Sequence, residues 1–278
     1  YPSPDGKVIA FTATEAPPAK YEELEEKGFK AVVYEESVLP TKVWVLDLET
    51  LEASAHDLPG SASSFTWSSD GRRYAVALAP TPLIDDSYTS RDIHVVDAAD
   101  GKVQSKMGSV GKLGSFAFSP DGERIAYIGS VNINDPAEGR LYVVPSSGGE
   151  RRELVPEYLG HVGNFIWSDD DSVRWLGSRG VYSEWATASL YETQSPGAAP
   201  RPGPIIRTVH GNPGQDVVAA IADTPEHPAE LYLLRDDAEP VRLTNSNPFL
   251  GERELAKQEA ITYKARDGLE LEAILIHP

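Results

Sequence analysis

The sequence contains no cysteine. That removes disulfides, thiolate metal ligands and a cysteine nucleophile together. It leaves the compartment open, because oxidising and reducing compartments both hold cysteine-free proteins, so cytoplasmic and periplasmic locations are equally admissible. No apolar run approaches the roughly 18 residues of a membrane-spanning helix. No signal-peptide pattern is visible. The chain opens on Tyr1 without Met, inside a turn motif, from which we expect that an upstream portion has been removed. Positive charge is scarce: 25 Lys and Arg stand against 43 Asp and Glu, for a formal net charge of −18. Such a surface repels phosphate backbones and anionic membranes, so neither nucleic acid nor membrane is an expected partner. The glycine patterns that cradle phosphates are absent, and so is the G-x-S-x-G nucleophile elbow. The six His residues are scattered, with no H-x-x-x-H pair. No catalytic residue, metal site or cofactor is therefore expected. His161 and His210, read as lying near the starts of inner strands, are expected to line a polar funnel or sit satisfied in loops.

What the chain does have is a repeat. At 278 residues and 40% hydrophobic it is long and apolar enough to bury a sizeable core. Its 23 Gly and 22 Pro favour many short elements over long helices. The phrase SPDGERIAYI (residues 119–128) pairs a tight-turn signal with an apolar strand. Sister copies are YPSPDGKVIAFTA, FTWSSDGRRYAVALA, FIWSDDDSVRWLGS and TVHGNPGQDVVAAIA. The turn positions Gly6, Gly71, Gly122, Asp171 and Gly214 lie 65, 51, 49 and 43 residues apart. Each copy is followed by a second apolar strand, such as KVWVLDLET, DIHVVDAADGK, GRLYVVPSSGGE or ELYLLRDDAEP; in the fourth copy we assign it to SLYETQSPG. A period of about 40–50 residues with four short strands per unit is the signature of a β-propeller blade. The expected fold is all-β, with five repeats visible and the first lacking its opening strand.

The repeated Ser and Asp then have a structural task rather than a catalytic one. Gly adopts the positive φ that other residues avoid, and Asp bonds back to its own loop. Asp171, in the place of Gly, is expected to tolerate the left-handed region.

One segment lengthens the first interval: EAPPAKYEELEEKGFKAVVYEESVLP, residues 15–40. Glu22, Glu23, Glu25 and Glu26 flank Leu24 in an expected short helix, and Tyr34-Glu35-Glu36 follows. Adjacent carboxylates hold a cationic amine well inside a walled cavity, up to about 4 kcal/mol at an effective dielectric near 20. On an open surface the same pair contributes about 0–1 kcal/mol. Both arrangements remain open at this stage.

The C-terminal part reads PAELYLL, VRLTNSNPFL and then EAITYKARDGLELEAILIHP. It resembles the junction of the prolyl oligopeptidase (S9) family of serine peptidases, which includes acylaminoacyl peptidases and dipeptidyl peptidases. There the last blade runs into an LTxxN turn, and a strand pair E-x-[IV]-x-[YF]-K-[AS]-x-D-G opens an α/β-hydrolase domain. The matching residues are Leu243-Thr244-Asn245, Asn247, Tyr263-Lys264, Asp267-Gly268 and Pro278. The resemblance implies a partial propeller over residues 1–255, part of a seven- or eight-bladed ring, and the start of a hydrolase domain over residues 256–278. It implies a peptide substrate, with the catalytic Ser, Asp and His downstream of Pro278. It also implies a role for Glu35 and Glu36, since Val33-Tyr34-Glu35-Glu36 resembles the double-Glu element that holds a substrate's free N-terminus in dipeptidyl peptidase IV-like members. An incomplete ring exposes sheet faces and edges that the full ring would cover, so the chain is expected either to oligomerise with a second copy or to close as a smaller ring; the missing α/β-hydrolase domain is a further expected partner. A TolB-like propeller that scaffolds protein partners shares the SPDG phrase and is the alternative. A propeller hydrolase or lactonase with a central metal is a third.

Overall fold

A computed structural model of the chain describes residues 1–31, 35–36, 38–134, 136–192, 203–235 and 238–278. It is built almost wholly of antiparallel strands in short sheets. The first sheet joins β1 (Val8–Thr14), β2 (Thr41–Asp47) and β3 (Ala53–Ala55), with helix α1 (Ala19–Glu26) between β1 and β2. The second joins β4 (Ser61–Trp67), β5 (Arg73–Ala79), β6 (Asp92–Asp97) and β7 (Val103–Met107), with α2 (Ile84–Thr89) before β6. The third joins β8 (Leu113–Phe118), β9 (Arg124–Ser130), β10 (Gly139–Pro145) and β11 (Arg152–Glu153). The fourth joins β12 (His161–Trp167), β13 (Ser172–Arg179) and β14 (Tyr182–Ser189). The fifth joins β15 (Ile205–His210), β16 (Val217–Thr224), β17 (His227–Arg235) and β18 (Val241–Arg242). A separate hairpin, β19 (Gln258–Lys264) and β20 (Glu270–Ile276), closes the chain. In every sheet the strands pair in sequence order, which is the meander of a propeller blade.

The expected repeat is therefore present, one sheet per copy. Two compact units emerge: Tyr1–Ala137 with Tyr142–Arg152, and Glu138–Leu141 with Glu153–Pro278. In the first, β5 and β9 bury six of their seven residues each. Strands buried on both faces read as continuous apolar runs rather than alternating ones, which is why RYAVALA and RIAYIGS contain so little polar content. In β1 only Ala10 is buried. Its opening strand, expected to be absent, is reduced to Tyr1-Pro2-Ser3, where Pro2 forms an isolated bridge to Ile9 and Ser3 N–H donates to Val8 O at 2.9 Å.

The S-x-D-G turns repeat atom by atom. Ser3, Ser68 and Ser119 each donate Oγ–H to the Asp two residues on, at 2.6, 2.6 and 2.5 Å. The same Oγ accepts a backbone N–H from Val8, Arg73 or Arg124 at 3.0–3.1 Å. Gly6, Gly71 and Gly122 take φ of 69°, 68° and 74°. The fourth turn differs from expectation. Trp167 pairs with Val173, six residues on, whereas Phe118 pairs with Ile125, seven on. The loop has lost one residue, and with it the left-handed position. Asp171 is not at positive φ; among the described residues the only non-glycines there are Glu35 and Leu51. The third strand of that blade is Tyr182–Ser189, which takes in only the first residue of SLYETQSPG; residues 193–197 of that phrase lie outside the described residues.

The Ser hydroxyl holds the Asp5 carboxyl below its usual pKa, and the Asp70 carboxyl likewise. At Asp121 burial works against the charge, but Ser119 and the Glu123 N–H outweigh it and the value is again lowered. A carboxyl held lower in the fold than in the unfolded chain stabilises fully above roughly pH 4 and loses that contribution as pH falls further. Replacing Asp5, Asp70 and Asp121 by Asn is therefore expected to flatten the acid limb of a urea-stability profile. An acid limb as steep as that of the parent chain would show that the turns are not its source.

Candidate functional site

The residues nominated from sequence lie in the open. Helix α1 forms as expected, but none of its residues is buried. Glu35 and Glu36 occupy an exposed turn, Glu35 at φ 65°. Val33, Tyr34 and Ser37 lie outside the described residues. The structure thus brings Glu35 and Glu36 together as neighbours, with solvent on the described side chains. His161 does open its inner strand, β12. His210 does not: it ends β15.

A cavity of about 920 Å³ opens within the second unit, and sequence reasoning did not find it. Its wall comes from the first residues of β12, the β13–β14 turn, the start of β15, the end of β16 and the hairpin β19–β20. Leu176, Val181, Ile205, Ile206 and Ile274 give it apolar surface, with Tyr182 beside them. Its charged side chains are already paired. Arg207 grips Asp223 with two bonds of 2.6 and 3.0 Å. Glu259 accepts from His277 Nε2 at 3.0 Å and lies 3.4 Å from Lys257 Nζ. These partners hold the Glu259 carboxyl below the usual range, His277 contributing most. Glu272 on β20 accepts the Val181 N–H at 3.2 Å, tying the hairpin to the β13–β14 turn.

Behind the Gly177 wall lies a group of polar atoms without partners. Trp175 and Gly177 on β13 and Glu184 on β14 share one sheet face, since Gly177 pairs with Glu184. Tyr158 packs on that face, its ring 4.7 Å from Trp175 in a T-shaped contact. Tyr158 Oη, Trp175 Nε1 and Glu184 Oε2 are buried without a hydrogen bond. Burial pushes the Tyr158 phenol up to about 12, with the Glu184 charge adding to it, and burial also raises the Glu184 carboxyl.

A second, smaller cavity of about 420 Å³ adjoins the LTNSN turn. The Glu230 side chain is fully buried there. It accepts from Thr244 Oγ1, from Ser246 N–H at 2.7 Å, from Ser246 Oγ at 3.1 Å and from Arg242 at 3.3 Å. The Thr244 hydroxyl does most to hold this carboxyl below its usual pKa. The LTxxN phrase is thus a loop wound around one buried carboxylate.

Among the described residues no hydrogen bond joins a serine hydroxyl to a histidine. Among them, too, no three His, Asp or Glu side chains converge as a metal site.

No family model matches the chain, and no curated protein matches it. Solved structures do. A protein from Bacteroides ovatus assigned as dipeptidyl aminopeptidase IV aligns with all of this chain and 44% of its own, at 15% identity and a TM-score of 0.66. Puromycin hydrolase aligns with 86% of this chain and 38% of its own, at 13% identity and a TM-score of 0.61. A protein from Agrobacterium tumefaciens assigned as TolB aligns with 72% of this chain and 68% of its own, at 16% identity and a TM-score of 0.50. The chain therefore spans less than half the length of the first two. At these identities the likeness is one of fold: the sheets are blades of a β-propeller-type protein, an architecture these structures share.

Proposed function

We propose that the chain is the propeller portion of an S9-type serine peptidase, and that it gates and positions short peptides over a hydrolase active site carried by a following domain. The observation that carries this reading is the hairpin β19–β20. Two strands alone are marginally stable in water, and this pair leaves large apolar side chains exposed on both faces. Ile274 and Ile276 on one face are 54% and 59% exposed, and Tyr263 and Leu275 on the other are 48% and 40% exposed. Exposed apolar side chains on both faces suit a sheet covered on both sides, as at the start of an α/β-hydrolase domain. A propeller that acts alone has no need of it. In this reading residues 256–278 begin the second domain. The propeller supplies access control and orientation, and acyl transfer is done by a Ser-His-Asp set elsewhere.

The chain alone is expected to cleave no peptide amide and to take no serine-directed covalent label. Turnover or labelling would overturn the reading. The same reading assigns Glu35 and Glu36 to the substrate's free ammonium. On an exposed turn the pair contributes about 1 kcal/mol at most, so in the assembled enzyme changing both to Gln is expected to alter the preference for free over acetylated N-termini by fivefold or less.

The TolB-like alternative is favoured by the share of the Agrobacterium tumefaciens protein that aligns, 68% against 44% and 38% for the two hydrolytic enzymes. It predicts binding to a protein partner and no dependence on a following domain.

A further inference from the structure

We propose that the 920 Å³ cavity of the second unit binds a short, uncharged stretch of peptide with apolar side chains, and that His161 reads one of its carbonyl oxygens. The proposal rests on the peptide-handling reading above and names the residue and ligand class that reading lacks. Cavities of this size with apolar walls and few convergent polar groups are typical ligand sites. The charged groups on this one are spent on each other, Arg207 with Asp223 and Glu259 with His277 and Lys257. With these lining charges already matched, the cavity favours a neutral ligand over a charged one.

His161 is the exception among the polar lining residues, because its chemistry is fixed in one direction. Its Nδ1 accepts the Gly139 N–H at 2.8 Å. The neutral ring therefore carries its proton on Nε2, which makes that nitrogen a donor. The ring is exposed and lines the cavity. Gly163, two residues on, adds no side chain beside this edge. The pairing of β12 with β13 slips between Val162 and Asn164, and Gly163 stands in the bulge. A Cβ on Gly163 would lie 3.6 Å from His161 Cδ2 and 3.7 Å from Nε2.

The bulge itself belongs to the repeat, since β4, β8 and β15 slip at the corresponding place. The imidazole does not. Strands β4 and β15 open on Ser61 and Ile205 where β12 opens on His161. The fold does not ask for a histidine here, and the residue that carries this donor lines the cavity.

The test titrates N-acetyl-Leu-Leu-Leu-amide into the full chain, with affinity from calorimetry and the His161 Nε2–H followed by ¹⁵N-edited NMR. Wild type is expected to bind, with a shift of the Nε2–H resonance. His161→Phe should bind roughly tenfold more weakly, the loss of one neutral hydrogen bond. His161→Gln, which keeps an N–H donor, should recover part of the difference. Analogues in which one carbonyl at a time is reduced to CH₂ should lose affinity for wild type at one position, with no corresponding loss in His161→Phe. Equal affinity of wild type and His161→Phe, with matching thermal melts, would overturn the role of His161. Absence of binding to wild type at millimolar peptide would overturn the cavity as a peptide site. That result would not touch the assignment as a peptidase propeller, which is decided separately by what the gene encodes after Pro278.

Discussion

Trp175→Ala is expected to destabilise the second unit by about 3–5 kcal/mol, the range for removing a large aromatic from a packed core. Trp175 is 2% exposed on the second strand of its blade and stacks edge-on against Tyr158. Its cost comes from volume, because the indole Nε1 makes no hydrogen bond that the substitution would sacrifice. Trp175→Phe is therefore expected to cost far less, below about 1.5 kcal/mol if the site repacks. Urea unfolding followed by circular dichroism separates the two. A Trp175→Ala loss under 1 kcal/mol would mean that this blade is not packed as described.

Gly60→Ala is expected to cost about 3 kcal/mol for a different reason. Gly60 sits at φ +102°, and a Cβ there would lie 2.1 Å from the Ala79 carbonyl oxygen. A left-handed backbone alone costs a non-glycine residue about 1–2 kcal/mol. Overpacking adds about 1–3 kcal/mol, and here the obstacle is backbone, which cannot rotate away as a side chain can. Gly6 and Gly214 provide the control. They too have positive φ, but nothing lies within 4 Å of a Cβ at either. Gly6→Ala and Gly214→Ala should show the backbone cost alone. If all three variants lost the same stability, the collision at Gly60 would be refuted.

The blades were legible because their information is local. An S-x-D-G turn needs a positive φ at one residue and a hydrogen-bonding Asp beside it, and both needs are written in adjacent letters. The long first interval announced a helix for the same reason, as Glu22 to Glu26 surround a single Leu. The fourth blade misled where a residue had been deleted. SDDDS looks like SPDGE with Asp in place of Gly, but pairing from Trp167 to Val173 closes a shorter loop that has no left-handed position. The cavity was invisible for the opposite reason. Its wall draws on residues near 161, 177, 182, 206, 224, 259 and 274, which no spacing rule connects. His161 carried one weak signal, its place at the opening of an inner strand. Its fixed tautomer depends on Gly139, on an earlier strand. Glu35 and Glu36 show the limit of composition: two adjacent acids read the same whether a wall stands over them or water does.

The buried Glu230 illustrates a middle case. The phrase LTNSN was visible as a junction, yet its physical reason was not. Glu230 precedes its threonine by 14 residues and organises the phrase through Thr244, Ser246 and Arg242. That loop leads directly into the hairpin on which the functional reading rests.

The reading makes one demand that neither blade count nor fold likeness addresses: the exposed apolar side chains of β19–β20 need a domain to cover them. Sequencing the transcript through and past the codon for Pro278 tests this most directly. The account predicts an open frame that continues into further α/β elements bearing G-x-S-x-G, with Asp and His following it. A stop codon immediately after Pro278 would contradict it and leave a propeller that binds partners on its own.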